Sequence, residues 1–352
     1  MRTWVDVLTP KQANLFSVLV RRLREEGHVV YATTRHYREV QELLQLRKTE
    51  ATAVGRHGGA DLSAKLTESS KRITELTEYV KGKKPDLAIS FCSPEAARVA
   101  YGLGIPHYAI CDSPHAEAVC RLSIPLSRKL FTPRAVPKSA WKRYGIAPLN
   151  IVRYNALDPA AWIRAYAPGA DPKSVLGLDE GKPIIVVRTE EEYASYILQL
   201  QRPRNSIVPS LVNLLVELGV QIVVLPRYDE QIKLLTSELS RMAIVPARVI
   251  DAIGLLSRSS IFIGAGGTMT AEAALMGVPT ISCYPSEPTY VDRYLLKLGL
   301  AERILSPDRV VSRVRRLLAD PKLADRQRKK ANHVLARMED PVRVVMANLG
   351  PS

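Results

Sequence analysis

Short apolar runs of four or five residues recur along the chain. Between them lie longer stretches whose apolar positions return every three or four residues. The first pattern reads as buried strand and the second as one face of a helix. Trp4–Leu8 predicts a strand. Leu15, Val18, Leu19 and Leu23 then share one helical face and predict a helix over Lys11–Glu26, closed by Gly27. The alternation continues with a strand at His28–Thr33, a helix at Tyr37–Leu46 and a short strand at Ala51–Val54. After the loop GRHGGAD come a long helix, Leu62–Lys81, a strand, Asp86–Ser90, a short helix, Pro94–Tyr101, and a strand, His107–Ile110. Strands that alternate with helices imply a parallel sheet covered on both faces.

The pattern is interrupted at 166–182, where APGADPKSVLGLDEGK is rich in proline, glycine and aspartate and reads as a linker. A second alternation follows. Strands are expected at Ile184–Val187, Gln221–Leu225, Arg248–Ile250, Ile261–Ile263 and Thr280–Cys283. Helices are expected at Val208–Leu218, Tyr228–Met242, Ala252–Arg258 and Thr270–Met276, with helices alone after Cys283. The expected architecture is α/β: two Rossmann-like domains, 1–165 and 183–352, with parallel sheets facing an interdomain cleft. The last helix is free to return to the N-terminal half. Ligands in such sheets bind beyond the carboxyl ends of the strands.

Composition narrows the class. The chain has 352 residues, 46% of them apolar and 24% charged, which is enough apolar chemistry for two packed cores. No run of about 18 apolar residues predicts a membrane span. No basic segment precedes an apolar one at the start, so no signal peptide is expected, and a cytoplasmic setting fits. The four cysteines, Cys92, Cys111, Cys120 and Cys283, have neither zinc-ligand nor disulfide-framework spacing. The net charge is +15, most of it in the first half. Between Glu117 and Asp158 there is no acidic residue, while Arg121, Arg128, Lys129, Arg134, Lys138, Lys142, Arg143 and Arg153 are interleaved with Leu122, Ile124, Leu126, Leu130, Phe131 and Trp141. Such a segment is either a solvated basic face or a surface for something anionic: a phosphate-bearing acceptor, a membrane face contacted through 121–144, or RNA.

Four loops carry candidate chemistry. In IFIGAGGTMTAEAALMGVPTIS a buried strand runs through Gly264, Gly266, Gly267 and Thr268 into a helix, with Glu272 one turn inside. Small residues and free N–H groups there suit a diphosphate, and Glu272 suits ribose hydroxyls; a plain strand–helix turn has the same pattern. The spacing is not GxGxxG, so a dinucleotide site is not indicated. His57 beside Gly58 and Gly59 is a proton-transfer candidate or an incidental turn residue. Asp112 and His115 form a candidate acid/base pair, unless Asp112 or Ser113 is simply a helix cap. In VRTEEEY, Arg188 is a candidate phosphate partner, and Glu190, Glu191 and Glu192 either line a site or begin a helix.

The run VIDAIGLLSRSSIFIGAGGTMTAEAALMGVPTISCYP resembles the C-terminal domain of GT-B glycosyltransferases of the MurG branch and of the non-hydrolysing UDP-N-acetylglucosamine 2-epimerases. The resemblance implies that Glu272 holds the ribose, that Gly266, Gly267 and Thr268 hold the diphosphate, and that Val249 and Ile250 border the base. The blocks GRHGG, SPEAARVAYGLGIPH, DSPHAEAVCRLSIPL, RYNALDPAAW and VRTEEEYASYI resemble a mainly archaeal family of unknown function labelled predicted glycosyltransferases. Two departures matter. TPKQAN stands where MurG-like enzymes have a glycine-rich loop, and Cys92-Ser93 stands where the epimerases carry an acid. The expectation is an inverting glycosyltransferase that uses a nucleotide-sugar, a UDP-sugar by the resemblance, on an anionic acceptor. No metal is called for, since there is no DxD motif. His57, or Asp112 with His115, would serve as base. The alternatives are a nucleotide-sugar 2-epimerase or hydrolase, and a protein that binds RNA or the ribosome.

Overall fold

The computed structural model describes residues 1–59, 61–190 and 206–350. The chain divides into two compact units. Unit 1 is Met1–Trp162 with the chain from Glu339 onward, and unit 2 is Ile163–Met338.

Unit 1 is built on seven parallel strands: β1 (Arg2–Asp6), β2 (Val29–His36), β3 (Thr52–Arg56), β4 (Leu87–Ser90), β5 (His107–Ile110), β6 (Lys129–Pro133) and β7 (Ile151–Tyr154). Their order is β3-β2-β1-β4-β5-β6-β7. Strand order reverses between β1 and β4, so the carboxyl ends of those two strands flank the switch point. Unit 2 has five parallel strands: β8 (Ile184–Arg188), β9 (Gln221–Leu225), β10 (Ile261–Gly264), β11 (Thr280–Ser282) and β12 (Glu302–Arg303). Their order is β12-β11-β10-β8-β9, which puts the switch point between β8 and β10. β4, β5 and β10 are buried at every position, as strands covered on both faces must be. The last helix, Pro341–Met346, packs Val342 and Val345 near Leu15 and Leu19 of unit 1, and Arg22 pairs with Asp340 at 2.5 Å.

Helix starts follow a local rule. Thr9, Ser93, Asp171, Asp320 and Asp340 each accept a first-turn N–H through the side chain, and each is followed by proline. This explains one departure from the sequence reading. The proline, aspartate and glycine at 166–182 are largely the cap residues of a short helix, Pro172–Leu176, closed by a left-handed Gly177. Tyr166 in the same stretch donates to Asp251 at 2.5 Å. A second departure concerns Arg248–Ile250, which is irregular; the bridge to β9 is made by Ile244. A third is β12, two exposed residues with no apolar pattern to announce them.

The basic segment 121–144 is also different from its expected form. Ile124, Leu130, Phe131 and Trp141 are fully buried, because β6 runs through the segment as an inner strand between β5 and β7. Only Leu122 among the large apolar side chains is prominently exposed. The apolar half of a membrane-binding surface is therefore core. Among the described residues no helix is long and apolar enough to cross a membrane.

The polar centre of unit 1 is a buried ion pair. Arg72, on the helix Leu62–Lys83, is 1% exposed, and both of its terminal nitrogens donate to Asp6 at the end of β1, at 2.6 and 3.1 Å. Its Nε donates to the Val54 carbonyl of β3 at 2.9 Å. Asp6 also accepts from Thr33 of β2 and from Ser93, the cap of the helix Pro94–Gly102. Burial alone would raise the Asp6 carboxyl, but Arg72 and these hydrogen bonds hold it below the usual range. Asp6→Ala leaves Arg72 buried without its partner and is expected to lower unfolding stability by about 3–5 kcal/mol in denaturant titration. Because the folded-state value is depressed, this contribution is complete above the unfolded carboxylate value of about 4 and is lost as pH falls through the folded value. A wild-type protein no more acid-sensitive than Asp6→Asn would refute the assignment.

Candidate functional site

In unit 2 the candidate residues converge on the switch point. The last residue of β10, Gly264, pairs in register with the last residue of β8, Arg188. The chain then turns through Gly266 and Gly267, at φ +91° and +89°, into the helix Thr268–Leu275. A Cβ at Gly266 would lie 2.7 Å from the Tyr284 ring, so conformation and space both demand glycine there. Gly267 is exposed and Thr268 half-buried, so the first N–H groups of the helix lie at an accessible turn. Glu272 is 2% exposed, one turn inside. Beneath the turn, the Thr270 hydroxyl is buried and has no hydrogen-bond partner among the described residues.

Arg227 completes this arrangement, and the sequence reading missed it. Its Nε donates to the Thr189 carbonyl at 3.1 Å, and a terminal nitrogen reaches the Gly266 carbonyl at 3.4 Å. A Cβ on Gly267 would be 3.1 Å from its guanidinium. The available signal was position: Arg227 lies just past the end of β9, at the strand edge where ligands bind. Arg188, the arginine that was singled out, donates instead to the Pro226 carbonyl at 2.7 Å and to Leu225, and so steadies the loop that carries Arg227. Glu190 accepts from Ser206 and from the Ile207 N–H, at the start of the helix Val208–Val216. Glu191 and Glu192 lie outside the described residues. Val249 and Ile250 are half-buried, and Ile250 packs against a core that includes Leu178, Leu255 and Phe262.

In unit 1 the candidates separate into two groups. His57 follows β3 directly. Its ring stacks on Tyr37 with centroids 5.1 Å apart, and its Nδ1 accepts from the Gly59 N–H at 3.0 Å. The neutral ring therefore carries its proton on Nε2. Burial, helped by the charges of Arg35 and Lys65, pushes the imidazole down to about 4. At neutral pH His57 is thus a donor rather than a ready base.

Asp112 does not pair with His115. Its carboxylate accepts from Lys11 at 2.5 Å and from Ser113 at 2.8 Å, while His115 is exposed and contributes charge. Lys11 sits in the TPKQAN loop after β1 and also meets Asp158 at 2.6 Å. Asp158 in turn accepts from Tyr154 at 2.5 Å. Burial opposes both carboxylates. The ammonium beside Asp112 overrules it and holds that group low, whereas Asp158, near a second carboxylate, is raised. The spacing around Asp112 gave no sign of Lys11, which lies 101 residues away. All four cysteines are free and buried, and Cys92, Cys111 and Cys120 adjoin one another with thiols pushed up.

Residues 1–349 match the model of a family described as Protein of unknown function (DUF354). An uncharacterized protein of Methanocaldococcus jannaschii, MJ0665, is 33% identical over 300 residues, covering 84% of this chain and 85% of the relative. Among solved structures, the UDP-GlcNAc 2-epimerase of Neisseria meningitidis bound to UDP-GlcNAc is similar with a TM-score of 0.75 at 16% identity, over 99% of both chains. The M. jannaschii UDP-GlcNAc 2-epimerase in complex with UDP-GlcNAc and UDP gives 0.69 at 14%, over 99% of both. The spinosyn forosaminyltransferase SpnP gives 0.65 at 17%, over 99% of this chain and 98% of that one. The fold is the GT-B fold these enzymes share, as the sequence resemblance implied.

The geometry around His57 has a direct check. Titration of the histidine ring resonances by NMR should find one group with a midpoint near 4, absent from His57→Gln. A midpoint for His57 near its free value of about 6.5 would mean that the ring is neither buried nor near the two cations.

Proposed function

We propose, for a chain that belongs to the DUF354 family, a glycosyltransferase that takes a nucleotide-sugar, UDP-linked, on unit 2 and an anionic hydroxyl compound as acceptor. One observation supports this reading above the others. At the switch point of unit 2, a two-glycine left-handed turn opens a helix under the guanidinium of Arg227, with Glu272 one turn inside. The N–H groups of that turn and Arg227 are the donors a diphosphate needs. As the sugar departs they stabilise the charge that develops on the diphosphate. Glu272 accepts from the ribose, and the unpartnered Thr270 hydroxyl gains a polar neighbour. In unit 1, Asp112 is the candidate already in the charged form that a proton acceptor requires, with Lys11 holding it in place.

A 2-epimerase is the second reading, favoured by the TM-score of 0.75 to an enzyme of that name. Against it, Ser93 is engaged with Asp6 and the helix it caps. Incubation with UDP-GlcNAc alone separates the two, since an epimerase converts the sugar with no acceptor present and a transferase does not. RNA binding with no nucleotide response would replace both readings by a binding protein.

Glu272→Ala is expected to weaken UDP binding by about 1–3 kcal/mol in calorimetry, the range for a polar partner lost. Arg227→Ala should weaken UDP but leave uridine unchanged; equal losses for both would remove Arg227 from the diphosphate. Asp112→Asn should lower turnover by about 10²–10⁴-fold at unchanged donor affinity. Turnover near the wild-type rate would rule Asp112 out as the proton acceptor.

A further inference from the structure

Buried cations in unit 1 are matched with care, with one exception. Arg72 has Asp6, and Lys11 has Asp112 and Asp158. Arg35, near the carboxyl end of β2, has no ion pair among the described residues, and its Nε is buried without a hydrogen-bond partner. Asp6 and Glu95 are its nearest acids, but Asp6 is bound twice by Arg72, and Glu95 lies 3.9 Å from the same guanidinium. An unpaired buried guanidinium is expensive, and proteins retain such groups where a ligand completes them.

Its surroundings are shaped for that ligand. The β2–β3 ladder loses register between Thr34 and His36, so Arg35 lies at a bulge, a device that re-aims a side chain at a sheet edge. Gly55 makes the bulge possible at φ +73°, where a Cβ would strike Arg72 at 2.7 Å. His57 follows on the neighbouring strand. Its Nδ1 is satisfied by Gly59, which turns the Nε2 proton outward as a donor. Lys65 lies in the first turn of the 22-residue helix Leu62–Lys83. The loop before that helix packs so closely that a Cβ on Gly58 would be 2.5 Å from the Lys65 Cα. Arg35 and Lys65 are both near enough to His57 to disfavour its protonation.

We propose that Arg35, His57 and Lys65, at the carboxyl edge of β2 and β3, form a binding site for a phosphate monoester dianion. A guanidinium, an imidazole N–H and an ammonium at a helix N-terminus supply donors from three elements, which suits a tetrahedral group. Two cations call for two negative charges, and a carboxylate brings only one. The site rests on unit 1 alone. Where the glycosyltransferase reading also holds, this phosphate belongs to the acceptor.

The test uses the full chain with inorganic phosphate and, separately, acetate. Phosphate should shift the His57 ring resonances at neutral pH, move the His57 midpoint up from about 4 and raise the melting temperature. Arg35→Gln should abolish all three effects. In phosphate-free buffer it should melt no lower than wild type, since it removes a cation that lacks a partner. Glu272→Gln should leave the His57 response intact, which separates this site from the nucleotide reading on unit 2. The proposal is overturned if phosphate leaves His57 unmoved, or if acetate matches phosphate. It is equally overturned if Arg35→Gln melts well below wild type, or if Glu272→Gln removes the response.

Discussion

Arg72 reaches the core of unit 1 from the middle of a long helix, and its charge is met by Asp6 at the tip of β1. Much of unit 1 is arranged around that contact. Thr33 of β2, the Val54 carbonyl of β3 and Ser93, which caps the next helix, all donate to or accept from the pair. Gly55 is a glycine because the Arg72 side chain passes where its Cβ would be. Two charges removed from water are tolerated only when each lone pair and proton has a partner, and here five elements provide them. The pair also occupies the switch point, where an open sheet of this kind most readily accepts a ligand. The candidate groups of unit 1 lie to either side of it, at β2–β3 and at β5–β7.

Unit 2 treats its switch point differently. There the crevice is kept open by backbone conformation. Two consecutive glycines in left-handed geometry bring the chain round so that the helix Thr268–Leu275 begins at the strand edge. Positive charge is supplied from the neighbouring strand by Arg227, whose loop is held by Arg188. One unit thus fills its switch point with an internal ion pair, and the other presents free N–H groups and a cation.

Unit 1 also shows three solutions to a buried cation. Arg72 is neutralised by a bidentate carboxylate. Lys11 is shared by two carboxylates, so that one is held ionised and the other is raised. Arg35 has neither arrangement, and burial together with Arg72 depresses it despite Glu95 and Asp6. The contrast among the three, more than the overall charge of +15, locates where an anion would be received.

The sequence by itself determined the alternation of elements, the starts of helices and the glycine turn. Each depends on residues within one or two turns of each other: an apolar period, a cap before proline, a φ that only glycine adopts easily. Helix Ala252–Arg258 and strand His107–Ile110 fall where their periodicity put them. The strands β6 and β7 were hidden in a basic segment, because charged and apolar residues alternate there much as they do on an amphipathic surface. Only the sheet order shows that the apolar set is core. The partners of the candidate residues were likewise beyond reach. Lys11 meets Asp112 across 101 residues, Arg72 meets Asp6 across 66, and Arg227 meets Gly266 across 39. Electrostatic pairing is decided by which strand tips become neighbours, and in parallel sheets those neighbours are joined by long crossovers. The sequence could nominate groups that do chemistry; their charge states and contacts existed only once the strands were in order.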